Sequence, residues 1–300
     1  MHCSYPHFSS SRRQFVGAAH RLLFALFTVT FLMPGALPAA QEGRDQLQDE
    51  LVAKVKSEIE QSGVAVLTAD VSDSPCFPGD AIGLSRAEDP RNVWKKSDAD
   101  YRCFNWSGLL GARHAEGYLA LQPALRLAEV FGGDAPLWTI YPTIGKTDPT
   151  PGQLRAMLHL AVAYGSQAVL VSDEARPELK QVVSRVAQKV AEHDEKVASL
   201  KHVGLDIRCK NGVVQAIPRK TGQKGALCVY AVNMDAGKPV ETRLLLWDDV
   251  WDWTKARDVY AGEGLPVRPR DEEGYLSVTV ELEPGEGKLI ETDARVNSKK

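Results

Sequence analysis

The feature that most constrains the fold of this sequence is a strand–helix–strand pattern between residues 136 and 171. Residues 136–141 form a short apolar run. Thr150-Pro151-Gly152-Gln153 then has the form of a capping box with proline at the first helical position, and Gly165 ends the helix that follows. Residues 168–171 are a second apolar run. Two buried strands joined by one helix predict a parallel, right-handed βαβ unit.

The flanking segments extend this α/β pattern in both directions. Residues 44–61 have one apolar face and predict a helix, which leads into a short apolar strand at 64–67. Residues 101–106 predict a further strand, and residues 118–131 predict a helix. Another long helix begins at Pro177. We therefore expect about four βα units over residues 41–202, at roughly 35 to 40 residues per unit.

The hydrophobic period changes from 3.6 to 2 after residue 202. Segments 226–232, 243–247 and 276–282 read as strands, and in the last of them apolar and polar residues alternate. This pattern predicts an antiparallel β-sandwich over residues 203–292, with a disordered tail at 293–300.

The first forty residues have the pattern of an export signal. They contain Arg12, Arg13 and Arg21 but no acidic residue, and a twelve-residue apolar run at 22–33 precedes Pro34 and several alanines. Twelve apolar residues fall short of the roughly 20 that a membrane span needs. We expect residues 1–40 to be a cleaved signal peptide, with an uncleaved anchor as the alternative. Arg12-Arg13 also resembles a twin-arginine motif, so the expected location is secreted or periplasmic.

Composition excludes several classes of partner and cofactor. A formal net charge of −3 gives no electrostatic footprint for nucleic acid. The sequence has no glycine-rich phosphate loop and no His or Cys spacing typical of a metal site. We therefore expect no cofactor, no metal and no nucleic-acid partner. We expect His159, in an apolar helix, to be a packed core or rim histidine.

Four cysteines lie beyond the signal segment: Cys76, Cys103, Cys209 and Cys228. An oxidising compartment and an even count favour two disulfides. We predict Cys76–Cys103 and Cys209–Cys228, since each pair falls within one predicted domain. The alternative is four buried free thiols.

Residues 136–140, 149–157 and 160–169 together resemble the end of a glycoside hydrolase (β/α)₈ barrel of the β-galactosidase-like type. The segment 203–292 resembles the C-terminal β-domain of that family, with Val229-Tyr230-Ala231-Val232-Asn233 as its central strand. The resemblance covers residues 118–290 and implies a partial β/α barrel-like domain followed by an antiparallel β-sandwich. A full barrel takes about 250 residues, so we expect the first half of a barrel to be missing here. Either the chain is a truncated or remodelled member, or a partner chain or an oligomer completes the barrel.

The resemblance does not supply the catalytic pair of this family. Its two carboxylates lie at the ends of the fourth and seventh strands, and the seventh-strand equivalent here ends in Tyr141-Pro142-Thr143. We therefore expect catalytic residues where the strands of this chain end, because active sites of βα folds lie at the carboxyl ends of strands. The candidate acids are Asp70, Asp73, Asp173 and Glu174, with a structural role in turns and helix starts as the alternative.

Residues Asn105, Trp106 and Tyr141 are the candidate substrate-binding residues at the same strand ends. Flat aromatic faces suit the C–H groups of a pyranose ring, and packing in the core is the alternative for Trp106 and Tyr141. Two functions follow from these features. The first is an exported glycoside hydrolase-like protein that acts on or binds carbohydrate. The second is a non-catalytic carbohydrate-binding or cell-envelope protein that kept the scaffold. A gene fragment without a function of its own is a third possibility.

Overall fold

The structure is a computed structural model. It describes residues 36–69, 71, 82–83, 102–105, 122, 125–126, 129, 136–141, 149–203, 207–221, 226–246, 251–252, 254–269, 274–293 and 295–296. It describes only the backbone of residues 36–48, 82–83, 102–105, 246, 251–252 and 295–296. Chain contacts divide the molecule into Met1–Gln41 and Glu42–Lys300. The site and packing interactions below all lie in the second unit.

Helices and parallel strands alternate in the first part of the described chain. The helices are α1 (Ala36–Ser62), α2 (Pro151–Ala163), α3 (Pro177–Ala191) and the short α4 (Asp194–Ala198). The strands are β1 (Ala65–Ala69), β2 (Ile82–Gly83), β3 (Arg102–Asn105), β4 (Leu137–Tyr141) and β5 (Ser166–Ser172). These five strands form one parallel sheet in the order β1-β5-β4-β3-β2. The predicted βαβ unit is β4-α2-β5.

The predicted capping box at the start of α2 is present. Thr150 N donates to Gln153 Oε1 at 2.9 Å, and Gln153 N donates to Thr150 Oγ1 at 3.3 Å. Pro151 occupies the first turn, where a missing N–H costs nothing. Local chemistry therefore determines where this helix begins.

Helices cover both faces of the parallel sheet. On one face, the α1 residues Leu51, Val52, Val55 and Ile59 pack with alternate residues of β1, β4 and β5. On the other face, α2 and α3 pack against the intervening residues of the same strands. In a closed barrel all helices lie outside. Here helices pack on both faces of the sheet.

The chain from residue 201 onward pairs in antiparallel sheets. The strands are β6 (Lys201–His202), β7 (Ile207–Cys209), β8 (Val214–Lys220), β9 (Leu227–Asn233), β10 (Val240–Leu246), β11 (Trp251–Asp252), β12 (Ala256–Asp258), β13 (Gly264–Leu265), β14 (Val267–Arg268), β15 (Leu276–Leu282), β16 (Gly287–Thr292) and β17 (Arg295–Val296). One sheet has six strands in the order β13-β12-β16-β9-β8-β6, and a second has four strands in the order β14-β15-β10-β7. Strands β11 and β17 form a separate pair.

Strand β9 connects two hydrophobic cores because it is buried on both sides. Cys228, Tyr230 and Val232 face α2 in the larger core, whereas Leu227, Val229 and Ala231 face the four-stranded sheet. The layers therefore run α1, parallel sheet, α2 with α3, six-stranded sheet, four-stranded sheet. The predicted change from helical to strand period near residue 202 is confirmed, and it lies inside the compact unit that begins at Glu42.

Helix α2 approaches the six-stranded sheet closely enough to require glycine. A Cβ added to Gly287 of β16 would collide with the ring of His159. Gly285 has a φ of 67°, and a Cβ there would collide with the Gly152 carbonyl at the start of α2. Nine of the thirteen α2 residues are buried, from Leu154 and Ala156 to Ala163. Among the described residues, no helix has the length and apolar character to cross a membrane.

Candidate functional site

The carboxyl edge of the parallel sheet holds two of the predicted acids, Asp173 and Glu174, directly after β5. Both side chains are exposed. The Asp173 amide donates to the Ala69 carbonyl at 2.8 Å, and the Glu174 amide donates to Ser172 Oγ at 3.2 Å. These bonds shape the turn that leads into α3. The catalytic role of Asp173 and Glu174 stays a prediction.

Other predicted residues fall at or beyond the limits of the described chain. Asp70, Asp73, Trp106 and Cys76 lie outside the described residues. Asn105 is the last residue of β3, where its backbone pairs opposite Ile140. Cys103 lies in the same strand opposite Trp138.

Tyr141 is not available as a stacking platform for a sugar. Its side chain is buried in the larger core, and its hydroxyl donates to the Met157 carbonyl of α2 at 2.9 Å. Burial raises the pKa of Tyr141 well above its ordinary value. The prediction that Tyr141 binds substrate is wrong, and core packing, the alternative, describes it.

The predicted Cys209–Cys228 disulfide is also wrong, since both thiols are free. The physical reason is the pleat of β9. Cys228 faces α2 in the larger core, while Cys209 of β7 packs against the core between the two antiparallel sheets. The six-stranded sheet therefore separates the two sulfurs. Burial raises the pKa of Cys209 to about 11 and that of Cys228 to about 12, so both remain protonated thiols at neutral pH.

A cavity of about 600 Å³ lies where the amino end of β5 meets the edge strand β8. Its polar lining comes from Gln122, Arg126, Tyr164 and His202. The remaining lining is mostly aliphatic side chains and strand backbone: Val203, Ile207, Cys209, Gly212, Val214, Gln215, Ala216, Ile217 and Pro218. Strand β6 pairs only with Arg219 and Lys220 of β8. Along the rest of β8, the side of the strand away from β9 therefore faces the cavity and pairs with no described strand. We call this cavity the β8 cavity.

A buried ion pair lies next to the β8 cavity. The Arg219 guanidinium is 1% exposed and makes a two-pronged contact with Glu129, through Nη1 to Oε1 and through Nη2 to Oε2 at 3.1 Å. Arg219 Nε has no hydrogen-bond partner among the described residues. His202 Nδ1 lies 3.7 Å from Glu129 Oε2. The pair thus links strand β8 to the helical segment that also supplies Gln122 and Arg126.

Tyr164 connects this ion pair to the cavity wall. The Arg219 guanidinium lies over its ring at 5.5 Å from the centroid, and the Gln122 side chain hydrogen-bonds its hydroxyl. Burial raises the pKa of Tyr164, so the phenol is neutral at physiological pH. Tyr164 is 5% exposed, so most of its surface is packed inside the protein.

A second polar cluster crosses the interface between α2 and the six-stranded sheet. His159 Nδ1 hydrogen-bonds the Tyr230 hydroxyl at 2.9 Å, and that hydroxyl hydrogen-bonds the Tyr260 hydroxyl at 2.8 Å. His159 is 1% exposed, so its expected place in the core is confirmed. Burial, reinforced by the charges of Lys189 and Arg155, lowers the pKa of His159 to about 3. The imidazole is therefore neutral over the physiological range.

Sequence reasoning did not single out Glu129, Tyr164, Arg219, Tyr230 or Tyr260 as site residues. One signal was present: Arg219 lies at an inward position of a strand in which Ile217 faces the same core. A charged residue at such a position requires a buried partner. Among the described residues, no three His, Cys, Asp or Glu side chains group closely enough to hold a metal ion.

No family model and no curated protein matches this sequence. The solved structures to which it is similar include glycoside hydrolases. An alpha-L-fucosidase from Bacteroides thetaiotaomicron is 14% identical with a TM-score of 0.38, over 59% of this chain and 40% of that one. An alpha-amylase from H. orenii is 9% identical with a TM-score of 0.38, over 69% and 52%.

A further similar structure is a putative alpha-N-acetylgalactosaminidase from Bacillus halodurans. It is 14% identical with a TM-score of 0.36, over 72% of this chain and 48% of that one. The chain spans about two fifths of the length of the fucosidases and about half that of the other two. Likenesses of this size assign neither a family nor an activity to the chain.

Proposed function

We propose that this chain is an exported, glycoside hydrolase-like protein that binds carbohydrate in the β8 cavity. The observation that carries the proposal is the cavity lining. An amide, a guanidinium and an imidazole (Gln122, Arg126 and His202) surround an aliphatic wall that includes Ile217 and Pro218. A volume of about 600 Å³ lies in the ordinary range for small-molecule sites, roughly 300 to 1,000 Å³.

This lining suits a sugar because a sugar ring presents two kinds of surface. Its hydroxyls need several donors and acceptors, which the Gln122 amide and the Arg126 guanidinium supply together. Its C–H groups pack on apolar side chains without hydrogen bonds. The buried Arg219–Glu129 pair holds Tyr164 and the helical segment in place behind these groups, so the site is organised before a ligand arrives.

The scaffold that we propose is a partial barrel followed by a sandwich. In a barrel, consecutive strands are neighbours and the last strand pairs with the first. The order β2-β3-β4-β5-β1 has this cyclic form, with an interruption between β1 and β2. These two strands are the sheet edges, where strands from a partner chain or a second copy would pair.

Binding is tested by thermal melting of the full chain with a panel of neutral oligosaccharides. A sugar that binds the folded state raises the melting temperature. We expect one class of sugar to do so, and we expect Gln122→Ala and Arg126→Ala each to reduce the shift by more than half. Arg268→Ala is the matched control, because Arg268 is exposed on β14 away from the cavity. No shift with any sugar, or an equal loss in all three variants, would contradict the proposal.

Hydrolysis is the alternative to binding alone. A glycosidase needs two carboxyl groups about 5 to 10 Å apart. The sequence offers Asp70, Asp73, Asp173 and Glu174. A reducing-sugar assay on the class that binds separates the two functions. Product that disappears in Asp173→Asn or Glu174→Gln would establish an enzyme, whereas binding without product in the parent chain supports a binder.

Export rests on residues 1–40 and is tested in cells. We expect the mature chain to begin near residue 41 and to be found outside the cytoplasm. Mass spectrometry of the purified protein measures the new N-terminus. Replacing Arg12 and Arg13 by lysine should retain the chain in the cytoplasm if a twin-arginine pathway exports it. An intact N-terminus in the exported fraction would favour the uncleaved anchor.

A further inference from the structure

A smaller cavity, of about 250 Å³, lies where α2, α3 and the turn between β15 and β16 meet. Val182 and Val186 of α3 form its apolar wall. Its other lining residues are ionisable: Arg155, His159, Arg185, Lys189, Glu283 and Glu286. The volume lies below the range of typical sites for drug-sized ligands, so the cavity suits a small ion or one charged group of a larger ligand.

The three cations of this cavity are not equally compensated. Lys189 Nζ forms an ion pair with Glu286 Oε1 at 3.2 Å. Arg155 Nη1 instead donates to the Pro284 carbonyl at 3.2 Å, a neutral acceptor. Arg185 lies on the exposed side of the cavity and makes no hydrogen bond or ion pair with any residue that the structure describes. Glu283, the second carboxylate of the lining, is exposed to solvent.

His159 is a buried polar group of the cavity lining. Its Nδ1 is occupied by the Tyr230 hydroxyl, which leaves Nε2 as the ring nitrogen available to a ligand. Arg155 and Lys189 add to burial in lowering the pKa of His159, so the imidazole lies in a field of positive sign. With its proton on Nε2, the neutral ring is a hydrogen-bond donor toward the cavity.

We propose that this cavity binds a small anion, a carboxylate or a sulfate group, through Arg185, Arg155 and His159. Guanidinium groups match the planar or tetrahedral arrangement of oxygens in such anions and form paired, charge-assisted hydrogen bonds with them. The proposal is independent of the β8 cavity, with which this cavity shares no lining residue.

The test is calorimetric titration of the full chain at constant ionic strength, with inorganic sulfate in one arm and sodium glucuronate in the other. Glucose is the uncharged reference. Arg185→Gln should weaken binding of the anion at least fivefold. Glu286→Gln should strengthen it severalfold, because it frees the Lys189 charge while the amide oxygen still accepts from the Glu283 N–H. Lys180→Gln, on an exposed position of α3 outside the cavity, should stay within twofold.

Opposite effects of Arg185→Gln and Glu286→Gln on anion affinity cannot arise from general destabilisation of the protein. Arg126→Ala, in the β8 cavity, should leave anion affinity unchanged and so separates this site from the sugar site. Stronger binding of sulfate would assign the site to a free oxyanion or a sulfate ester, and stronger binding of glucuronate to an acidic sugar. Absence of binding by both anions up to roughly 10 mM, ten times a Kd of about 1 mM, would overturn the proposal. An equal loss in Lys180→Gln would also overturn it, as would binding of glucose that Arg185→Gln weakens as much as it weakens binding of the anions.

Discussion

The two faces of the six-stranded sheet carry different chemistry although they alternate along the same strands. The face toward α2 presents Arg219, Tyr230 and Gly287, with Glu129 and His159 as partners of the first two. The face toward the four-stranded sheet presents aliphatic residues such as Leu227, Val229 and Ile290. Aliphatic packing stabilises a layer without selecting one arrangement sharply, whereas buried polar pairs require a specific one. The His159–Tyr230 hydrogen bond and the close approach at Gly287 therefore favour one placement of α2 on the sheet.

The largest difference between the faces should appear when the buried ion pair is broken. Glu129→Ala leaves the Arg219 charge buried without a partner, and we expect a loss of about 4 kcal/mol in the free energy of unfolding. Urea denaturation measures it. Glu178→Ala is the control, since the Arg176–Glu178 pair is half exposed on both sides and should contribute less than about 1 kcal/mol. A loss for Glu129→Ala no greater than that of the control would show that the pair contributes little.

Adjacent residues of β9 test the two faces within one strand. Leu227→Ala, on the aliphatic face, should cost about 3 kcal/mol because it opens a cavity between the two antiparallel sheets. Cys228→Ala, on the face toward α2, should cost at most about 1 kcal/mol, since it removes one sulfur atom and no disulfide. Both values come from the same denaturation experiment. A loss of 2 to 5 kcal/mol for Cys228→Ala would instead be typical of a lost disulfide.

His159 predicts a pH dependence that belongs to the polar face alone. The unfolded chain takes up a proton near pH 6.5, whereas the folded chain resists protonation until about pH 3. The contribution of the neutral His159 to folding stability is therefore complete above pH 6.5. It is lost as the pH falls from 6.5 to about 3. About 2 kcal/mol should be lost by pH 5. His159→Gln should remove this loss. The difference in unfolding free energy between parent and variant is compared across pH, because the contributions of all other titrating groups cancel in it. Parallel pH profiles would contradict the assignment.

The smallest expected effect lies at the solvent side of the same cluster. Tyr260→Phe removes the 2.8 Å hydrogen bond to Tyr230, whose hydroxyl keeps His159 as its other partner. We expect a loss of about 1 kcal/mol in the free energy of unfolding. A loss above about 2 kcal/mol would show that Tyr260 also stabilises the His159–Tyr230 hydrogen bond, beyond its own bond to Tyr230.

Ten of the twenty-one described elements, including the three long helices, were predicted from the sequence because their signals are local, whereas β8, β16 and most of the short strands were not. The capping box at Thr150 predicted the start of α2, and the alternation over residues 276–282 predicted β15 with the same bounds. The site residues were predicted less well. Tyr141 and Cys209–Cys228 were assigned by position along the chain, and the structure placed Tyr141 in the core and the two cysteines on opposite sides of a sheet.

For the elements that were predicted, period and capping chemistry by themselves indicated helix or strand and which side chains share a face. Only the tertiary structure decided which faces meet. His159 and Tyr230 are 71 residues apart, and Arg219 and Glu129 are 90 apart. Contacts over such separations depend on the stacking of whole layers and on the close approach that Gly285 and Gly287 allow. A periodic pattern extends over a few turns of a helix or a few residues of a strand, so it contains no information on a partner in another layer.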